Sequence, residues 1–211
     1  MMKIAVLVSG HGSNLQALID ANLSGQIVGV LSNKPSAYAL QRAQAAGIPT
    51  RVIEHSDYVH RAEFDQEIQA QLLEWQADLV VLAGFMRILS PEFVMQWEGK
   101  MLNIHPSLLP KHKGMHTHAK VIEAGDTQHG CTVHFVTAQL DSGQSLAQGV
   151  LDVQKNDTQD SLARRVHQLE HIIYPMVVEW FCNKDLIYHP KEHVQLKKQP
   201  LNHPIQIYET A

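Results

Sequence analysis

The chain has 211 residues, 45% hydrophobic and 18% charged, with a formal net charge of −4. This length carries one α/β domain with a sizeable core, the composition is that of a soluble globular protein, and the acidic balance argues against a nucleic-acid surface. Cys131 and Cys182 make neither a disulfide framework nor a CxxC pair, so a reducing, cytoplasmic setting is expected.

The first apolar run, Met1 to Val8, meets Ser9-Gly10-His11-Gly12 too early to span a membrane, and no signal-cleavage site follows. Residues 3–8 are expected as a strand covered on both faces. A helix follows from Ser13 to Leu23, a strand over 27–32, and an Ala-rich helix from Tyr38 to Ala46, closed by Gly47. Thr50 to Ile53 reads as a strand. His60 to Trp75 reads as a helix with Phe64, Ile68 and Leu72 on one face. Asp78 to Ala83 and Met101 to Ile104 are two more strands. Strand–helix crossovers of this kind imply an α/β fold with a doubly wound, mostly parallel sheet.

The pattern then changes. Residues 105–118 are rich in Pro, His and Lys and read as a long functional loop. Val121 and Ile122 fall in a short helix. Cys131 to Val136 and Leu146 to Val153 read as paired strands, an antiparallel addition. Thr158 to Phe181 reads as a long C-terminal helix, with Leu162, Val166, Leu169, Ile173, Met176, Val177 and Trp180 at helical spacing and a kink expected at Pro175. Residues 1–189 are read as one domain, and 190–211 as a polar tail that lies on the surface or is disordered.

Two segments carry chemistry. Ser9-Gly10-His11-Gly12-Ser13-Asn14 joins the first strand to the first helix, where glycines permit close backbone approach and a helix N-terminus attracts an anion. The plain alternative is a turn capped by Ser13 or Asn14. Leu15 stands where a dinucleotide site needs a third glycine, and Gly99-Lys100 runs into Met101 rather than Ser or Thr. The turn therefore suits a single terminal phosphate. In Leu102-Asn103-Ile104-His105-Pro106, alternation along a strand puts Asn103 and His105 on one side and Leu102 and Ile104 on the other, at a strand's carboxyl end where ligands bind in open sheets. By itself this segment also fits a capped strand with a buried histidine.

Asn103-Ile104-His105-Pro106-Ser107-Leu108-Leu109-Pro110 resembles the signature of the formyltransferases that use 10-formyltetrahydrofolate. Ser9-Gly10-His11-Gly12-Ser13-Asn14-Leu15-Gln16 narrows the resemblance to the phosphoribosylglycinamide formyltransferase family of de novo purine synthesis. Leu82 to Leu89, Gly130 to Val136, Leu140-Asp141-Ser142-Gly143 and Glu170 to Pro175 follow in family order. The resemblance implies a formyltransferase-type Rossmann-like fold and a catalytic trio of Asn103, His105 and Asp141. It implies that Gly12, Ser13 and Asn14 hold the substrate phosphate, with His167, Gln168, Leu169 and Glu170 completing the phosphoribosyl site. Arg61, Met86, Arg87, Ile88, Leu89, Asn103, Thr137, Ala138, Gln139, Leu140 and Asp141 would hold the folate cosubstrate. It further implies small-molecule substrates, no metal, no nucleic-acid or membrane partner, and a monomer or weak homodimer.

Two stretches depart from the family pattern. After Asp141-Ser142-Gly143 the family continues with proline and a β-branched apolar pair, and here the chain reads Gln144-Ser145-Leu146. After Pro110 the usual Pro-Gly step is Lys113-Gly114. Both neighbour expected folate contacts.

Formyl transfer is acyl transfer, so the charge that develops on the formyl oxygen calls for donors placed in advance. The Asn103 amide and a protonated His105 can both donate, and His105, Asp141 and water can relay protons. The amine attacks directly, so Ser107 and Cys131 are read as turn and core. A relative that acts on tRNA would need a further C-terminal domain and a basic surface. A formyl-folate hydrolase would carry a domain ahead of the first strand, which here begins at Lys3. From another class, a nucleotide-sensing module fits the fold alone. His112, His116 and His118 could bind zinc, yet no Cys, Asp or Glu stands at ligand spacing with them.

Overall fold

The structure, a computed structural model, describes residues 1–190 and 194–210. Its contacts cluster in two units, Met1–Asn103 and Ile104–Ala211. In the first unit, β1 (Lys3–Val8), β2 (Gln26–Ser32), β3 (Thr50–Val52), β4 (Leu79–Leu82) and the start of β5 (Met101–His105) are all parallel, in the order β5-β4-β1-β2-β3. The order reverses between β4 and β1, which makes the carboxyl ends of these two strands the switch point where open α/β sheets bind ligands. β1 is an unbroken apolar run because Ile4 to Val8 are fully buried.

Helices α1 (Ser13–Asp20), α2 (Tyr38–Ala45), α3 (Arg61–Glu74) and α4 (Pro91–Gln96) fill the connections, with a single 3-10 turn at His55–Asp57. Phe64, Ile68 and Leu72 form the buried stripe of α3. Gly47 follows α2 with φ +70, the left-handed conformation that ends a helix without a Cβ penalty. The sequence reading missed α4, although Ser90 accepts the Phe93 N–H and Pro91 takes the first helical position.

In the second unit, α5 (Thr117–Ala124) precedes β6 (Gln128–Phe135) and β7 (Ser145–Asp152), which pair antiparallel. α6 (Gln159–Cys182) packs on both strands and continues as helix through Pro175. It starts with a reciprocal cap between Thr158 and Ser161. Gly149 of β7 lets α6 approach closely, since a Cβ there would stand 2.8 Å from Leu169 Cβ.

The segment from Pro190, expected as a surface or disordered tail, has structure where it is described. β8 (Leu186–Ile187), β9 (Gln195–Leu196) and β10 (Gln199–Pro200) form a small antiparallel sheet, and β11 (Ile205–Tyr208) pairs parallel with β7. Val194 and Leu201 are buried. Strands this short leave almost no periodicity to read. Residues 191–193 and 211, part of the same expectation, lie outside the described residues.

Candidate active site

The glycine turn leaves β1 at Ser9, whose hydroxyl meets the Asn33 amide oxygen and accepts the Met86 N–H at 2.8 Å. The turn is thereby tied to the loop after β4, both at the switch point. Gly12, with φ +79, is the N-cap of α1, and no side chain caps the helix. This corrects the plain alternative of a Ser13 or Asn14 cap, and it leaves the first-turn N–H groups facing outward without an intrahelical acceptor. A Cβ at Gly12 would lie 2.5 Å from Ala39 Cβ, so only glycine fits.

Arg61 opens α3 and its guanidinium reaches the Ile88 carbonyl at 3.4 Å, so two of the expected folate segments meet. Met86 and Ile88 are 68% and 64% exposed, whereas Leu89 is buried. Solvated apolar side chains beside an arginine leave an apolar surface open to a ligand. Leu89 belongs to the core.

At the end of β5, the pairing of Leu82 with Asn103 fixes the register, and Pro106 ends the strand after His105. His105 is 6% exposed. Its Nδ1 lies 3.5 Å from Asp141 Oδ2, and its Nε2 lies 3.0 Å from the His112 carbonyl oxygen. Both neighbours can only accept, so a ring nitrogen that carries a proton finds an acceptor on either side. Asp141 sits in a turn with φ +46, a conformation that Asp tolerates better than most residues. Its Oδ2 also accepts the Gly114 N–H at 2.9 Å.

His134 lies within the family-like stretch from Gly130 to Val136, and the structure brings it to the same carboxylate. Its Nε2 is 3.8 Å from Asp141 Oδ1, while Nδ1 faces the Phe135 carbonyl at 2.8 Å. Burial pushes its pKa down, outweighing the Phe135 carbonyl and Asp141. Neutral His134 then carries its proton on Nδ1, so the contact with Asp141 is not an ion pair. The carboxylate is left to His105 and the Gly114 N–H. Its position on β6 was the available signal, since the strand's register sets it next to the turn that carries Asp141.

The two departures from the family pattern come together here. The Lys113 ammonium donates to the Ser142 hydroxyl, beside the Gly114–Asp141 bond. Gln144 donates to the Leu201 carbonyl at 2.6 Å, tying the Asp141 turn to the C-terminal segment. Thr137 and Ser142 hydroxyls close the turn internally, on the Gln139 and Leu140 carbonyls. Leu140 is 54% exposed at its tip.

The histidines weighed for zinc disperse to separate partners. His112 Nε2 is 2.7 Å from Asp126, whose pKa is lowered first by that bond and then by Lys111. His116 is the N-cap of α5, and His118 meets His129 at 2.8 Å. Among the described residues no group of three or more His, Cys, Asp or Glu is arranged to hold a metal ion. On α6, His167 and Gln168 are exposed, whereas Leu169 and Glu170 are buried, so the four expected phosphoribosyl contacts divide between two faces. A cavity of about 350 Å³ bordered by His112, Asp126, His129 and Gln148 includes none of the expected site residues.

A parallel sheet with a bare helix N-terminus at its switch point, and a buried imidazole–carboxylate pair at a strand end, define an α/β group-transfer enzyme. Residues 2–178 match the formyl transferase family. The chain is 47% identical over 192 residues to phosphoribosylglycinamide formyltransferase of Escherichia coli, covering 89% of this chain and 91% of that one. It is 52% identical over 181 residues to the human trifunctional purine biosynthetic protein adenosine-3, covering 84% of this chain but 18% of that protein. A solved structure of phosphoribosylglycinamide formyltransferase from Coxiella burnetii superposes with a TM-score of 0.93 at 45% identity, covering 97% of this chain and 98% of that one. The chain belongs to the phosphoribosylglycinamide formyltransferase family.

Proposed function

We propose that this chain transfers the formyl group of 10-formyltetrahydrofolate to the glycinamide amine of 5-phosphoribosylglycinamide, giving formylglycinamide ribonucleotide in purine synthesis. The observation that carries the reading is the buried His105–Asp141 pair at the end of β5, two residues beyond Asn103. The folate supplies an activated formyl carbon when bound. The Asn103 amide and the His105 ring donate to the formyl oxygen, where negative charge develops. His105 Nε2 faces the His112 carbonyl oxygen, an acceptor that the formyl oxygen would replace. Asp141 accepts from the His105 ring, and the two, with water, pass the amine proton to the folate nitrogen as its bond to the formyl carbon breaks and tetrahydrofolate departs.

Gly12, Ser13 and Asn14 bind the phosphate through the uncapped helix N-terminus, and His167, Gln168, Leu169 and Glu170 complete the phosphoribosyl site. Arg61 and Met86-Arg87-Ile88, next to the buried Leu89, hold the folate with Asn103 and Thr137-Ala138-Gln139-Leu140-Asp141, supported by the exposed side chains of Met86, Ile88 and Leu140. No step calls for a metal. Residues 1–189 act as one catalytic domain, a reading supported by a family match that spans both contact units. The protein works on small molecules in the cytoplasm, as a monomer or weak homodimer, without nucleic acid or membrane. The net charge of −4 supports the reading without nucleic acid, and among the described residues no helix is long and apolar enough to cross a membrane.

Purified protein with 10-formyltetrahydrofolate and glycinamide ribonucleotide, in chelator-treated buffer, tests the reading. Folate release should match formylated ribonucleotide one for one. Release without the acceptor would make the chain a hydrolase. Loss of activity on chelation would restore the zinc reading, and binding without turnover would make it a sensor.

A further inference from the structure

The start of α2 holds the glycine turn through contacts that the proposed phosphate site does not yet include. The Ala39 N–H donates to the Gly10 carbonyl at 3.1 Å. One turn later, Arg42 Nε donates to the His11 carbonyl at 3.0 Å, and its Nη1 donates to Gln16 Oε1 at 3.0 Å on α1. Its Nη2 stands 3.4 Å from both ring nitrogens of His11. The guanidinium lies 5.0 Å above the Tyr38 ring, which stacks on His11 at 5.3 Å.

The geometry has a direct consequence for the backbone. In a trans peptide the C=O and the next N–H point in opposite directions. With the Gly10 and His11 carbonyls both drawn toward α2, the His11 and Gly12 N–H groups are turned away from it. They extend the row of N–H groups at the first turn of α1, a nest for an anion. Among the described residues, the partners of Arg42 are a carbonyl, an amide and aromatic rings.

We propose that Arg42 is a positioning residue for the substrate phosphate: its guanidinium locks the His11 carbonyl and so aims the backbone N–H groups of the glycine turn. The inference rests on the assignment of that turn to the phosphate. A planar fork with several fixed donors suits this task, and neither an amide nor an ammonium reproduces it.

The test reads phosphate affinity apart from catalysis. Ribose 5-phosphate binding is measured by calorimetry in the wild-type protein, Arg42→Ala and Arg42→Gln, the latter in case loss of the whole side chain disturbs folding. Losing charge-assisted hydrogen bonds should weaken binding about tenfold in both variants. The KM for glycinamide ribonucleotide should rise in parallel, with kcat and the KM for 10-formyltetrahydrofolate within about twofold of wild type. Unchanged ribose 5-phosphate affinity, or an equal loss for the folate, would overturn the proposal. A wild-type protein that binds ribose 5-phosphate but transfers no formyl group would instead overturn the proposed reaction, leaving the Arg42 comparison readable.

Discussion

The glycine turn after β1 offers backbone, whereas the centre at the end of β5 offers side chains. The turn is assembled from residues 9–16 plus helix α2, and its donors are N–H groups whose direction follows from φ at Gly12 and from two fixed carbonyls. The centre needs His105, Asp141 and Gly114, which lie far apart in sequence. A backbone cradle binds an anion equally well before and during reaction, so it governs affinity. Groups that titrate and donate to developing charge act on the rate. That division of labour can be broken at either end.

The largest effect is expected at His105. His105→Ala removes the donor and proton carrier, and kcat should fall by about 10²–10⁴ as for other general acid–base groups. Stopped-flow folate release in a single turnover would measure it, and a loss confined to KM would reassign the residue to binding. Asn103→Ala should lower kcat by about 10²–10³, the range for one oxyanion donor. Steady-state assays with both substrates would check it, and a kcat within a few-fold of wild type would make Asn103 structural.

How far each region was legible follows from the same contrast. The strands and helices of the first unit could be read because apolar runs, caps and glycine stops are local, and the observed bounds of β1, β2, α2 and α3 differ from expectation by a residue or two. The glycine turn was legible for the same reason. The site side chains at the end of β5 were legible only as Asn103 and His105 on one side of a strand, and family register supplied Asp141. His134, the Gly114 N–H and the Lys113–Ser142 contact were not foreseen, because nothing in a linear pattern says that residues 113 and 142 touch. β11 pairs with a strand more than fifty residues earlier and carries only a four-residue apolar alternation.

A smaller effect sharpens the comparison at the altered loop. Lys113→Ala frees Ser142 but leaves the Gly114–Asp141 bond. Losing one hydrogen bond of about 1 kcal/mol should lower kcat roughly fivefold, with the ribonucleotide KM unchanged. A change in ribonucleotide KM alone would show that the loop serves the phosphate region instead.

The least effect on catalysis at neutral pH is expected from the His118–His129 pair, which bears on stability. Burial, then His118, pushes His129 down to about 4 from its ordinary 6.5. The unfolded chain therefore binds the extra proton first. This contribution is complete above about pH 6.5 and is lost as pH falls toward about 4, at no more than about 1.4 kcal/mol per pH unit. Urea unfolding across that range should show the slope, reduced in His129→Gln. An identical slope in the variant would assign the acid sensitivity to other groups.

The most direct test sets Gly12→Val beside Asn103→Ala in one steady-state experiment with glycinamide ribonucleotide. A side chain at Gly12 meets Ala39 and is strained at φ +79, which disturbs the backbone cradle. The account predicts that Gly12→Val raises the ribonucleotide KM at least about tenfold with kcat nearly unchanged, while Asn103→Ala lowers kcat with KM nearly unchanged. If both variants lose the same parameter to a similar degree, the separation between a backbone site for binding and a side-chain site for chemistry is wrong.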